Sequence, residues 1–175
     1  MSSYMAHTVI PDEQRGDRMN IVPEGYHTVT PWLISRGRTA ELIDFITEVF
    51  DATELGRVGE APEIGHAEVR IGDSVVMLFD QPNWQPTPAF LRLYVADDAT
   101  TLERAVQRGS RVVTEPTELF WGDRVSRFAD PFGNLWWLHQ RVAEPTGAEL
   151  EARMADPKFV EAMTYVQSAE FTPPT

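Results

Sequence analysis

The feature that most constrains this chain is an internal repeat. Two stretches of roughly 60 residues carry the same order of patterns, the spacing expected when one supersecondary unit is used twice. Each opens with a β-rich run, passes through an amphipathic helical run, and closes with three further strand runs. In the first copy, residues 26–34 form the opening strand, with Pro31 marking a bulge or an edge. Thr39 caps a helix to about Phe50, in which Leu42, Ile43, Ile46, Val49 and Phe50 share a face. A short strand near Leu55–Val58 follows, then a hairpin of residues 65–71 and 74–80 around Gly72-Asp73. In the second copy, residues 90–95 form a strand. Asp98 caps a helix whose Leu102, Ala105 and Val106 face inward and which Gly109 closes. Residues 111–114 form a short strand. Neither half is large enough to bury a sheet alone, so the halves pair, within a chain or between chains.

The second copy ends in its richest stretch, Phe120 to Gln140. Asp130-Pro131-Phe132-Gly133-Asn134 reads as a tight turn. Pro131 presets φ, Gly133 tolerates positive φ, and Asp130 and Asn134 can bond nearby backbone. Apolar residues on both sides make it a hairpin. The stretch also holds Trp121, Asp123, Arg124, Trp136, Trp137 and His139, so a site wall is expected here.

Around the repeat lie three polar segments. Residues 1–22 have no steady period and read as a flexible or loosely docked arm. The Pro-rich segment Gln81–Pro88, with Trp84, links the halves. Residues 143–175 read as a helical tail. Thr146 to Glu149 has capping-box spacing, and Leu150 and Met154 face one side. Asp156-Pro157 restarts a helix whose Phe159, Val160, Met163 and Val166 form an apolar stripe. The tail should dock on a sheet or on a partner chain. The domain proper is residues 23–142, with modules at about 26–80 and 90–140.

Composition excludes several functions. The net charge of −12 argues against nucleic acid and anionic membranes as partners. The chain has no cysteine, which removes disulfides and thiolate metal sites and fits a reducing cytoplasm. No apolar run reaches spanning length, and no signal peptide is legible. Nucleophile triads, phosphate loops, Rossmann fingerprints and His-Glu-x-x-His motifs are missing too.

The repeat, together with Ile43-Asp44-Phe45, Gly65-His66-Ala67-Glu68, Gly72-Asp73-Ser74, Trp121-Gly122-Asp123-Arg124 and Asp130-Pro131-Phe132-Gly133, resembles the vicinal oxygen chelate superfamily. That superfamily includes glyoxalase I, bleomycin-resistance proteins and extradiol dioxygenases. The PhnB-like branch is the most similar, its helical tail included. The resemblance implies an α+β fold of paired βαβββ modules forming a curved, cup-shaped mixed sheet, plus the C-terminal helical extension. It implies a homodimer, often with cups shared at the interface. In metalloenzyme members it implies a divalent metal on the first, fourth, fifth and eighth strands. Mapped by motif, those positions hold residues near Thr30, Val76 or Met77, Phe90 and Trp137. None is a plausible ligand for such a metal, so no metal and no cofactor are expected. A different set, His27, His66, Glu68, Asp123 and His139, is the one escape.

Period two along the strands then nominates the cup lining. Thr30, Trp32 and Ile34 share one face, and Val76, Leu78 and Asp80 another. Phe90, Arg92 and Tyr94 share a third, and Trp137 and His139 a fourth. The candidate catalytic residues are His139, Arg92 and Asp123. The candidate ligand-binding residues are Trp32, Phe90, Tyr94, Trp121, Arg124, Trp137 and Glu68. Two readings of the lining stay open, an aromatic cavity with a few polar groups and a filled core. Asp123 and Arg124 either pair locally or project into the cup mouth. The expected function is metal-free binding of a small aromatic or amphipathic molecule. The alternative is a metal-independent lyase, isomerase or cyclase; a metal-dependent glyoxalase or dioxygenase ranks last.

Overall fold

The structure is a computed structural model and describes residues 20–170. The expected N-terminal arm lies outside the described residues except for 20–22. Eight strands and four helices follow in the order β1(Trp32–Ser35), α1(Thr39–Phe50), β2(Thr53–Val58), β3(His66–Ile71), β4(Ser74–Asp80), β5(Phe90–Tyr94), α2(Asp98–Gln107), β6(Arg111–Glu118), β7(Asp123–Ala129), β8(Leu135–Arg141), α3(Gly147–Ala155) and α4(Pro157–Ser168). The strands form two four-stranded mixed sheets, β1-β4-β3-β2 and β5-β8-β7-β6. In each, the first strand pairs parallel with the last and the remaining pairs are antiparallel. Neither sheet closes into a barrel. The fold is α+β, two βαβββ modules with a C-terminal helical part.

Local chemistry explains the element ends. α1 begins one residue earlier than a Thr39 cap would place it. The cap position is Arg38, and Thr39 is the first helical residue. Its backbone N–H and hydroxyl both donate to Asp80 Oδ1, at 3.1 and 2.8 Å, and Gly37 N–H joins them at 2.8 Å. Asp80, at the end of β4, thus supplies the anion that a helix N-terminus favours. α2 is shifted likewise. Asp97 is the cap, accepting from Thr100 N–H, and Asp98 is the buried residue after it. Val106, expected to face inward, is exposed because α2 turns Leu102 and Ala105 to the core. β6 runs past the expected Thr114 to Glu118. It carries two register irregularities, and the second, between Thr114 and Thr117, absorbs Pro116, which has no N–H for the ladder.

The turn after β7 is organised by Asp130, which is buried. Its carboxylate accepts from the backbone N–H of Phe132 and Asn134, from Asn134 Nδ2 and from Trp136 Nε1, at 2.8–2.9 Å. Burial raises the Asp130 pKa, against the pull of those bonds.

The two modules pair within the chain through their helix-side faces. Leu33, Val69, Val76 and Leu78 of the first sheet join Leu102, Phe128 and Trp136 of the second in one core. α1 reaches across: the Phe50 ring lies 4.8 Å from Trp136, and Phe45 lies 6.3 Å from Phe128. Both sheets therefore spend one face on a shared core, and their other faces lie away from it.

The tail docks on a sheet. α4 lies over the outer face of the second sheet, where Val166 and Met163 pack with Leu119, Val125, Trp121 and Trp137. Glu115 N–H donates to Tyr165 Oη at 3.0 Å, and Arg153 pairs with Glu118. Val160 and Met154, expected on apolar faces, are exposed. Thr146 makes no side-chain cap bond, whereas Asp156 does cap α4, accepting from Lys158 N–H at 2.9 Å. Among the described residues no helix is long and apolar enough to cross a membrane.

Candidate functional site

The outer face of the second sheet is built by strand register. One cross-strand row is Thr117, Val125, His139 and Tyr94, and the next holds Arg141 and Asp123. Period two places their side chains on the same face as Arg92, Arg127 and Trp137.

Asp123 and His139 are both buried, and His139 Nδ1 lies 3.0 Å from Asp123 Oδ2. A carboxylate only accepts, so Nδ1 carries the proton and donates. Tyr94 Oη donates to the same oxygen at 3.3 Å, and Arg92 bonds Tyr94 Oη. Arg141 approaches the other oxygen at 3.4 Å, and Arg92 stands 4.0 Å from the carboxylate. Burial works to raise the Asp123 pKa. The bonds from His139 and Trp121 and the charge of Arg141 outweigh it, so the carboxyl stays below its usual range. Burial, with Arg92 nearby, pushes the His139 imidazole below its ordinary value, although the bond to Asp123 opposes this. His139 is thus a neutral imidazole at pH 7, oriented by a carboxylate. Its Nε2 is buried without a hydrogen-bond partner.

Gly122 makes this arrangement possible. Its φ is +94°, and a Cβ there would stand 2.2 Å from the Ala143 carbonyl oxygen. The Gly122 carbonyl accepts from Val142 and Ala143 N–H, each at 2.9 Å, tying the entry of β7 to the exit of β8.

Beside the dyad is a cavity of about 310 Å³ lined by Phe90, Leu91, Arg92, Arg127, Leu135 and Trp137. The Arg127 guanidinium lies over the Trp137 ring at 5.2 Å. A larger cavity of about 410 Å³ opens between the modules, from Val29, Pro31 and the Gly72–Ser74 turn to Leu93 and Tyr94. The smaller one is the better candidate, because two guanidinium groups, Arg92 and Arg127, stand in its walls with Phe90 and Trp137, whereas the larger has Arg92 alone, with Asp73 also in its wall.

The family profile described as the Glyoxalase/Bleomycin resistance protein/Dioxygenase superfamily matches residues 27–138, more than half of the chain. The chain belongs to this superfamily. A protein of Mycobacterium tuberculosis described only as uncharacterised is 37% identical over 156 residues, 82% of this chain and 90% of its own length. Among solved structures, PA1353 of Pseudomonas aeruginosa superposes with a TM-score of 0.56 at 22% identity, over 66% of this chain and 98% of its own. TioX of Micromonospora sp. ML1 does so with 0.53 at 20%, over 65% and 99%. The PhnB protein of Bacillus cereus gives 0.50 at 17%, over 65% and 99%. At these identities the structural likeness shows the fold, and PhnB is one of several neighbours rather than a branch assignment.

The superfamily's metal chelate does not fit this chain. Mapped by the family motifs, its four positions fall near Thr30, at Val76 or Met77, at Phe90 and at Trp137, and none of these side chains is a ligand for a hard or borderline divalent ion. The alternative set is not assembled. His27 lies near Asp73, His66 lies 3.5 Å from Glu68, and Asp123 pairs with His139. Among the described residues no three His, Asp or Glu side chains converge as a metal site.

The other nominated residues divide between two surfaces. Phe90, Arg92, Tyr94, Asp123, Trp137 and His139 share the second sheet's outer face, with Trp121 at its rim. Trp32 and Glu68 lie on the outer face of the first sheet. There Trp32, Phe79 and Trp84 meet edge to face at 5.7 and 5.9 Å, and Tyr26 donates to Glu68. Within the chain these are two separate faces. Arg124 pairs across the ladder with Gln140, on the helix side of the second sheet near Asp97 and Asp98, so it neither pairs with Asp123 nor reaches the cavity. Val76 and Leu78 are core, and Asp80 is the anchor of α1. The face expected for them belongs instead to Met77 and Phe79, which pair with Trp32 and Ile34.

Sequence reading missed Arg127, Arg141 and Thr114. The first two follow from extending period two beyond Val125 and His139. Thr114 reaches the face through the irregular register of β6, which leaves no local signal.

Proposed function

We propose that this protein binds a small aromatic or amphipathic molecule on the outer face of its second module, without a metal at the superfamily's chelate position. The observation that carries this reading is Trp137. It stands where the family resemblance puts the eighth-strand ligand, and it forms the wall of a cavity of about 310 Å³ with Phe90, Arg92 and Arg127. An indole at that position supplies stacking surface in place of a carboxylate. The exposed aromatic groups Trp32, Trp84, Phe90 and Tyr94 support a homodimer that covers the outer faces. The cysteine-free sequence supports a cytoplasmic location. The test is calorimetric titration with a panel of aromatic compounds, before and after exhaustive treatment with EDTA. Saturable binding that EDTA leaves unchanged is expected; silence across the panel, or binding that EDTA abolishes, sinks the reading. Light scattering on the eluting peak gives the oligomeric state.

The Asp123–His139 pair favours a second reading, a metal-independent lyase, isomerase or cyclase. A neutral imidazole held by a buried carboxylate is suited to accept a proton at Nε2, with Tyr94 and Arg92 alongside. Turnover unchanged in His139→Gln would remove it.

A further inference from the structure

The outer face of the second sheet carries a row of hydrogen-bonding side chains whose bonding capacity is only partly used. Register places Thr114, Arg127, Trp137 and Arg92 side by side, one from each of β6, β7, β8 and β5. Thr114 Oγ1, Arg127 Nε and Trp137 Nε1 are each buried without a partner, and so is His139 Nε2, two residues along from Trp137. A buried unsatisfied group costs on the order of 1–3 kcal/mol, and native structures hold few of them. Here four sit on one face.

Their chemistry specifies the complement. His139 Nε2, unprotonated while Nδ1 donates to Asp123, is itself an acceptor and stands apart from the row; within the row a guanidinium and an indole N–H only donate, and a hydroxyl can donate. The matching group is therefore an acceptor, and beside two guanidinium groups it is an anionic one. On β5, β7 and β8 this face holds Arg92, Arg127 and Arg141 against one carboxylate, Asp123, which His139 and Tyr94 already occupy. That balance stands out in a chain of net charge −12.

One feature of the fold already imitates the missing anion. Arg127 Nη2 donates to the backbone carbonyl of Val166, in the last turn of α4. Carbonyls at a helix C-terminus carry the negative end of the macrodipole. The end of α4 thus gives Arg127 a weak substitute for a true anion, and it does so beside the cavity lined by Phe90 and Trp137.

We propose that this row is the binding site of an aromatic acid. Its ring lies against Trp137 and Phe90, and its carboxylate or phosphate takes Arg127 and Arg92, displacing the last turn of α4 from Arg127. This rests on the small-molecule reading above and names the ligand class for it.

The test compares 2-naphthoate with 2-naphthamide, which share shape and differ in charge. Calorimetry at low salt should show naphthoate binding at least about ten-fold more tightly than the amide. The preference should disappear in Arg127→Gln and shrink in the more exposed Arg92→Gln. It should survive in Arg104→Gln, a charge control on α2 that pairs with Asp51. Circular dichroism checks that each variant is folded. Amide exchange in the last turn of α4 should quicken when naphthoate is bound. Equal affinity for acid and amide overturns the anionic class while leaving small-molecule binding intact. A naphthoate preference retained in both arginine variants overturns the assignment to this row. Binding of neither compound overturns both readings.

Discussion

His139 and Asp123 lie 3.0 Å apart, both almost fully buried, on strands that pair antiparallel sixteen residues apart in sequence. The carboxylate fixes which imidazole nitrogen carries the proton and leaves Nε2 as the open one. Tyr94 and Arg92 on one side and Arg141 on the other are arranged around this pair.

Asp123→Asn tests the pair directly. It removes the charge that raises the His139 pKa, while burial and Arg92 continue to depress it. The His139 imidazole should then stay neutral to lower pH than in the parent protein, read by NMR titration of the ring carbons. In the parent, a His with a depressed folded pKa contributes stability that is present above its unfolded value near 6.5 and is lost as pH falls. The variant should lose about 2 kcal/mol at pH 7 in urea denaturation, from a buried charge-assisted bond.

Asp98→Asn tests a buried acid on the other face of the same sheet. Asp98 is fully buried, and Ser126 donates to one of its oxygens. Burial pushes its pKa from 3.8 to about 6, although Ser126 and Arg124 pull the other way. A folded pKa above the unfolded one favours the folded state fully below about 3.8, and that gain is lost as pH rises through about 6. The stability difference between variant and parent should therefore grow between pH 4 and pH 7.5, by roughly 3 kcal/mol at most. A parallel pair of pH–stability curves would refute it.

Gly122→Ala should be among the most damaging single-methyl changes. The added Cβ meets the Ala143 carbonyl oxygen and carbon at 2.2 and 2.7 Å, both backbone, and the φ of +94° disfavours any side chain. A loss of at least about 2 kcal/mol is expected, with the His139 ring signals shifted because Asp123 follows directly in the chain.

Asp130→Ala removes one acceptor from four donors, Phe132 N–H, Asn134 N–H, Asn134 Nδ2 and Trp136 Nε1. Leaving buried donors unpaired should cost about 3–5 kcal/mol. The near-ultraviolet circular dichroism of the Trp136 environment should weaken in the folded fraction.

The sequence by itself determined the repeat, the order of elements and the two hairpins, because these are set by local periodicity and by turn residues such as Gly72 and Gly133. It also determined which residues share a face within β5 and β8, since side chains alternate with period two. Tertiary structure decided which way each face points. β4 reads Val75-Val76-Met77-Leu78-Phe79, apolar at every position, so alternation cannot say whether Val76 or Met77 meets the helix. Pairing with β1 settles it, setting Met77 beside Trp32 and leaving Val76 and Leu78 in the core. Arg124 and Asp123 are neighbours in sequence and opposites in space for the same reason. The meeting of Thr114, Arg127, Trp137 and Arg92 needs four strands in one register, one of them irregular, and no local pattern in the chain encodes that.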